Sequence, residues 1–228
     1  EKGALVIAVV NPVALSLLTP PGQWGQAGAD IVCGSGQALG IPLSFGGPYY
    51  GFMTCKQQYL RQMPGRIVGQ TVDAEGKCAY TLTLQTREQH IRRAKATSNI
   101  CTNQGLMVIA STIFMSIMGY EGLKSMALKS HSNAVQLVKI LSSVNLRLSF
   151  THNYFNELVL ELPMTAKRFK AQMLTQGIDA GLDLSVFGGK TWSHKLLICT
   201  TEMHDTVDLI HYMDAMKAVL ASTGVLVC

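Results

Sequence analysis

Residues 34 to 52 read "GSGQALGIPLSFGGPYYGF", with six glycines, two prolines and no charged side chain. So much bare backbone raises two questions: whether it grips a phosphate, and where the residue that does the chemistry lies. Gly34-Ser35-Gly36 followed by Gly40 gives GxGxxxG, which is not the dinucleotide spacing. A dinucleotide fingerprint also needs a helix that opens at the glycines and an acidic residue about twenty positions later. Pro42 and Pro48 forbid that helix, because proline lacks the amide a helix interior requires. "PLSFG", residues 42 to 46, imitates a nucleophile elbow, yet Pro42 stands where the leading glycine belongs and no strand-turn-helix surrounds it. Ser44 therefore reads as a hydrogen-bonding loop serine.

Working outward, residues 4 to 10 and 31 to 33 are continuous apolar runs closed by turn formers, Asn11-Pro12 and Gly34. Such runs predict strands buried on both faces, with helices above and below. "YYGFMTC", "RIVGQTV" and "KCAYTLTL" predict further strands, the last two joined as a hairpin through Asp73-Ala74-Glu75-Gly76. At "TREQHIRRAKATSNICT" the pattern changes. Thr86 and Gln89 have capping-box spacing, and Glu88 stands four residues before Arg92, the favourable order for a helical ion pair. Helix is expected from there through Asn103 to Met118. A second helix runs from near Glu121 to about Ser142, with Leu123, Met126, Ala127, Ala134, Leu137, Val138 and Leu141 on one stripe.

The rest alternates strand and helix: "RLSF", "ELVLEL", a helix from Ala166 to Gln176 capped by Thr165, "KLLICTT", and a helix from Asp205 to Ser222. In the last helix Val207, Ile210, Met213, Met216 and Leu220 recur at helical spacing. Because Leu160 and Leu162 alternate with Glu161, one face of this sheet is expected to be wet and the other covered by the two helices. The division that results is 1–102, bearing the glycine-rich loop and hairpin; 103–143, connecting helices; and 144–228, a small α/β domain.

Composition bounds the function. The chain has 228 residues, 48% of them hydrophobic, enough for one substantial core or two modest ones. A charge of +5, from 19 basic and 14 acidic residues, without interleaved aromatics, argues against nucleic acid. The most apolar run, Gly105 to Tyr120, is broken by Ser111, Thr112 and Ser116 and is short for a bilayer, so it reads as a buried helix and no membrane partner is expected. Six cysteines without a CxxC pair fit a reduced cytosol. His204 and His211, seven apart, lack a nearby third ligand, so no metal site is expected. The chain opens on a core strand with no methionine before it, which suggests a longer parent; strands near Leu5 and Ile31 should then expose apolar edges and promote self-association.

Much of the excess charge lies in Arg87, His90, Arg92, Arg93 and Lys95. Two readings stay open for this cluster: a solvated helix face, or an anion site where arginines and free amides favour phosphate or carboxylate.

"GQALGIPLSFGGPYYGF", "MPGRIVGQTVDAEGK" and "LQTREQHIRRAKATSNICT" resemble glycine decarboxylase, the P-protein of the glycine cleavage system, in its α subunit or subunit 1. "YFNELVLELP", "GIDAGLDLS" and "TEM" look like the C-terminal part of the same family, so the resemblance covers nearly the whole chain. It implies an α/β fold of the fold-type-I pyridoxal-phosphate kind, with a truncated large domain and a small C-terminal α/β domain. In the family's catalytic β half, a Schiff-base lysine stands five residues before a proline that precedes a glycine-rich turn. Here that proline corresponds to Pro42, and the residue five before it is Gln37, which cannot form the bond; no lysine occurs between Lys2 and Lys56.

The resemblance thus implies a non-catalytic α subunit, inactive alone, whose cofactor is pyridoxal phosphate held covalently by the catalytic β subunit. The aminomethyl group left after decarboxylation of glycine would pass to the lipoyl arm of the H-protein. Ser44, Phe45, Gly46 and Gly47 are expected to face the β subunit's cofactor phosphate, with Arg66, Arg87, His90, Arg92 and Arg93 shaping the interface or substrate entry. The alternative is an assembly or regulatory module with no part in an active site. Separate subunits imply a bacterial cytoplasm, and fused ones a mitochondrion.

Overall fold

A computed structural model describes residues 3–99, 104–142 and 146–222. It divides into two compact units, Glu1–Gly119 and Tyr120–Cys228. The boundaries expected at 102/103 and 143/144 lie outside the described residues.

The first unit is built on a three-stranded sheet of order β1-β2-β3: β1 (Ile7–Val9), β2 (Ile31–Ser35) and β3 (Gly51–Cys55). β1 runs parallel to β2, and β3 antiparallel, in a register that sets Ser35 against Gly51. Asp30 ties these strands at one end: its carboxylate accepts from the Val6 amide at 2.9 Å and pairs with Lys56 Nζ at 2.8 Å. That lysine, chiefly, holds the Asp30 carboxyl below its usual range. β1 is not buried on both faces as its composition predicts. Ala8 is buried, but Ile7 and Val9, on the opposite face of the strand, are exposed, so only one face of β1 is covered.

β4 (Ile67–Val72) and β5 (Cys78–Thr83) form the expected hairpin, closed by Asp73, whose side chain accepts from the Glu75 and Lys77 amides. Instead of a capped helix at Thr86, a 3-10 turn over Gln85–Arg87 leads into a single helical turn, α1 (Gln89–Arg92). Thr86 caps nothing, and Glu88 pairs with Arg87 at 3.4 Å and not with Arg92. The reason is local: Leu84 and Arg93 adopt positive φ, and the Arg87 side chain is drawn back to the base of the hairpin.

A long helix, α2 (Gly105–Ser142), is interrupted at Gly119, where φ is 60° and ψ −171°. Its first part, residues 105–118, is the apolar run, and it is not buried. Leu106, Ile109, Ile113 and Ile117 are all exposed at helical spacing. The opposite side docks, through the buried Ser111 hydroxyl, which donates to the Leu39 carbonyl at 2.8 Å. By length and composition α2 could cross a bilayer. Its second part instead lays Met126, Ala127, Ala134, Leu137 and Leu141 into a protein core, as the stripe predicts.

In the second unit β6 (Arg147–Leu148), β7 (Glu157–Glu161), β8 (Leu182–Asp183) and β9 (Lys195–Cys199) form an antiparallel sheet of order β6-β7-β9-β8. Leu158, Leu160, Leu196 and Ile198 point into a core closed by residues 134–141, by α3 (Ala166–Leu174) and by α5 (Thr206–Ser222); the one-turn α4 spans Ser185–Gly188. Thr165 caps α3, accepting from the Arg168 amide. The buried stripe of α5 is Leu209, Met213, Met216 and Leu220; the last three are as the periodicity suggests, while Val207 and Ile210 in the first turns are exposed and Leu209 takes the core-facing place. Asn133 clasps the turn before α5, donating to the carbonyls of Thr201 and His204 at 2.9 and 2.8 Å.

Candidate functional site

The glycine-rich stretch begins where β2 ends. Gly36 donates to the Tyr50 carbonyl across the neck of the loop, and a Cβ at Gly36 would meet the Tyr50 ring at 2.0 Å. The loop therefore closes only because this position lacks a side chain. Gln37 sits inside that neck. Its amide nitrogen Nε2 donates to the Ile41 carbonyl at 2.8 Å, while the Ile41 amide donates to the Gln37 carbonyl at 3.1 Å. At the position where the resemblance puts an anchoring lysine, the side chain is engaged in holding its own turn.

Beyond Ile41, which is buried, the loop emerges into solvent. Ser44, Phe45, Gly46 and Gly47 all have positive φ, of 45°, 44°, 127° and 120°. Phe45 is 98% exposed. A bulky residue in the left-handed region costs on the order of 1–3 kcal/mol, and strained backbone of this kind collects at functional loops. Tyr49, through its hydroxyl and the Leu43 carbonyl, braces the strained segment from behind. The arrangement offers successive backbone amides and one aromatic face to whatever lies opposite.

The basic segment divides. Arg87 is buried, and its guanidinium donates to the carbonyls of Met63 and Gly65, the latter at 2.6 Å, so it clamps the base of the hairpin. Arg66, His90, Arg92 and Arg93 are exposed. Arg87 and Arg92 share a recess of about 300 Å³ with Arg61, Leu84 and Thr86; Arg66, His90 and Arg93 do not line it. Arg61 carries no sequence signal. It lies in the 3-10 turn Gln57–Gln62, distant in the chain from its partners.

In the second unit a cavity of about 420 Å³ is lined by Ile178, Ile198, Cys199, Leu209 and Tyr212 among others. Burial pushes the Cys199 thiol up to about 11 and raises Tyr212 well above its ordinary value, so neither is a nucleophile at neutral pH. His204 accepts from the Thr201 amide at 2.9 Å as a turn cap, and His211 is exposed. Among the described residues no three of His, Cys, Asp or Glu converge as metal ligands.

Residues 1–216 match the family model of the glycine cleavage system P-protein. The chain belongs to the P-protein family. It is 53% identical over 225 residues to a probable glycine dehydrogenase (decarboxylating) subunit 1 of Francisella tularensis subsp. novicida, and as close to its counterpart in Francisella philomiragia. In each case 98% of this P-protein chain aligns with 49% of the relative, so it spans about half their length. The crystal structure of a glycine decarboxylase (P-protein) in inhibitor-bound form superposes with a TM-score of 0.88 at 41% identity, covering 96% of this chain and 49% of that one. An SPT solved with PLP superposes at 0.62 with 15% identity, over 98% of this chain and 49% of the other, a likeness of fold. The fold is that of the fold-type-I pyridoxal-phosphate enzymes.

This stretch of P-protein does not fit covalent attachment of that cofactor. Gln37 has no amine, and the nearest lysine after the loop, Lys56, is held by Asp30 at 2.8 Å.

Proposed function

We propose that this chain is the non-catalytic part of a glycine dehydrogenase (decarboxylating), serving as the α subunit or subunit 1, inactive alone. Pyridoxal phosphate, held by a catalytic β subunit, would supply the electron sink for loss of carbon dioxide from glycine, and a lipoyl H-protein would take the remaining aminomethyl group. The observation that carries this reading is Gln37: its side chain is bonded to Ile41 within its own turn, in a stretch without lysine.

This chain's own contribution is the loop tip. Ser44, Gly46 and Gly47 present amides that can approach a neighbour's phosphate, and Phe45 excludes water beside them. Arg66, His90, Arg92 and Arg93 are placed on an exposed surface that suits the subunit boundary or substrate entry, while Arg87 supports that surface from beneath. Bacterial relatives named as subunit 1 favour separate subunits, hence a cytoplasmic setting. Exposed Ile7, Val9, Ile113 and Ile117 favour self-association when no partner is present.

The test uses the assembled enzyme. Borohydride reduction in the presence of pyridoxal phosphate should label the partner and leave this chain unlabelled. Phe45→Ala and Ser44→Pro should lower decarboxylation by about tenfold or more with assembly intact. Label on this chain removes the non-catalytic reading. Full activity in both loop variants leaves an assembly module and removes the pocket role.

A further inference from the structure

We propose that the recess bounded by Arg61, Arg87 and Arg92 is a binding site for a phosphate group. Arg61, Arg87 and Arg92 line one space of about 300 Å³, and Glu88 lies 3.4 Å from Arg87. Among the described residues neither Arg61 nor Arg92 has an acidic side chain within ion-pairing distance. A lysine or histidine cluster can relieve such crowding by losing a proton; a guanidinium cannot. A counter-anion would neutralise the recess, where water otherwise solvates the exposed Arg61 and Arg92.

Arg87 is fixed at the inner side of the recess by the backbone it clamps, and Glu88 offsets only part of the charge there. The Arg87 guanidinium has five N–H donors, and the bonds to Met63 and Gly65 engage two of them. The Nε of this side chain, 8% exposed, has no hydrogen-bond partner, and the adjacent Glu88 Oε1 has none either despite its ion pair. A buried donor left in this state is costly. The clamp fixes where Arg87 stands, so the recess is preorganised, and the Thr86 side chain at its edge adds a hydroxyl.

Geometry selects the anion. One arginine satisfies both oxygens of a carboxylate as a fork, leaving the other two arginines unpaired. A phosphate presents three acceptor oxygens in different directions and nearly two negative charges, matching three guanidinium groups offset by one carboxylate. The recess is open to solvent, which leaves room for the organic part of a phosphate monoester. The inference is independent of the subunit reading, since every residue in it belongs to this chain and to its first unit.

The full chain is titrated at low ionic strength with inorganic phosphate, glycerol 2-phosphate and acetate, each against chloride at matched ionic strength, following the arginine Nε–Hε cross-peaks. Saturable shifts with phosphate are expected, with acetate weaker by about tenfold or more. Arg61→Ala and Arg92→Ala, both exposed positions that leave the Arg87 clamp intact, should each weaken phosphate by about tenfold. Tighter binding of glycerol 2-phosphate supports a monoester ligand; equal binding supports the free ion. Shifts no larger than those with chloride, acetate binding as tightly as phosphate, or variants that bind like the parent would each overturn the proposal. Failure of the parent chain to assemble with a β subunit, with its phosphate binding intact, would count against the subunit reading alone.

Discussion

The two units differ in how they bury apolar surface. In the second, Phe169, Met173, Leu160, Leu196, Met213, Met216 and Leu220 form a continuous core at 2% exposure or less. In the first, the buried hydrophobics among the described residues are Ala8, Val13, Ala14, Ala29, Leu39 and Ile41, small or few, while Ile7, Val9, Leu106, Ile113 and Ile117 face outward. The hairpin β4–β5 has no fully buried residue, with Val68, Val72 and Tyr80 exposed, and two strands alone are marginal in water. The lesson is a division of labour: one unit is stabilised from within, while the other keeps its shape through close backbone approaches and clamps such as Arg87.

That contrast can be broken or sharpened. Phe169→Ala should have the largest effect, about 3–5 kcal/mol off the second unit in denaturant titration, with the first unit's signal unmoved. A loss shared by both units would erase the contrast. Gly36→Ala should come next, at about 1–3 kcal/mol, because the added methyl collides with the Tyr50 ring; proteolysis within residues 36–50 should rise while the second unit stays protected.

The pH dependence is smaller. Glu161 is held below its ordinary range first by the Lys195 ammonium at 2.6 Å and then by the Ser149 hydroxyl at 2.7 Å. A depressed carboxyl contributes stability that is full above its unfolded value and is lost as pH falls through the lowered folded value. Lys195→Met should therefore cost below about 1 kcal/mol near neutrality for so exposed a pair, and its difference from the parent should vanish in acid. The smallest effect belongs to Ile117→Gln. At 78% exposure the change should leave stability within about 0.5 kcal/mol, while sedimentation velocity should show less self-association. A clear loss of stability would mean that this helix face is already packed.

Elements with a strong local signature were legible in the residues. The hairpin turn at Asp73–Gly76, the Thr165 cap and the stripe of residues 126–141 each follow from side chains within a few positions of one another. The short strand β8 carries no local signal, because its two residues form strand only against β9. The apolar helix differs from its expectation for a related reason: composition shows that residues 105–118 are hydrophobic, but the neighbours within reach decide which side is covered. The site followed the same rule. Gln37 was visible as a missing lysine, whereas Arg61 became relevant only where folding carried it beside Arg87 and Arg92.

The sequence by itself determined the family, the lysine-free loop, the hairpin and the longer helices, since these are properties of residue identity and local spacing. Only the tertiary structure decided that Arg87 is a buried clamp, that the Gln37 amide closes its own turn, and that Ser111 rather than the isoleucines marks the docked side of the apolar helix. Each of those depends on a donor meeting a particular carbonyl, for Arg87 and Ser111 one more than twenty residues away, and the directional demand of a hydrogen bond is met by the fold as a whole.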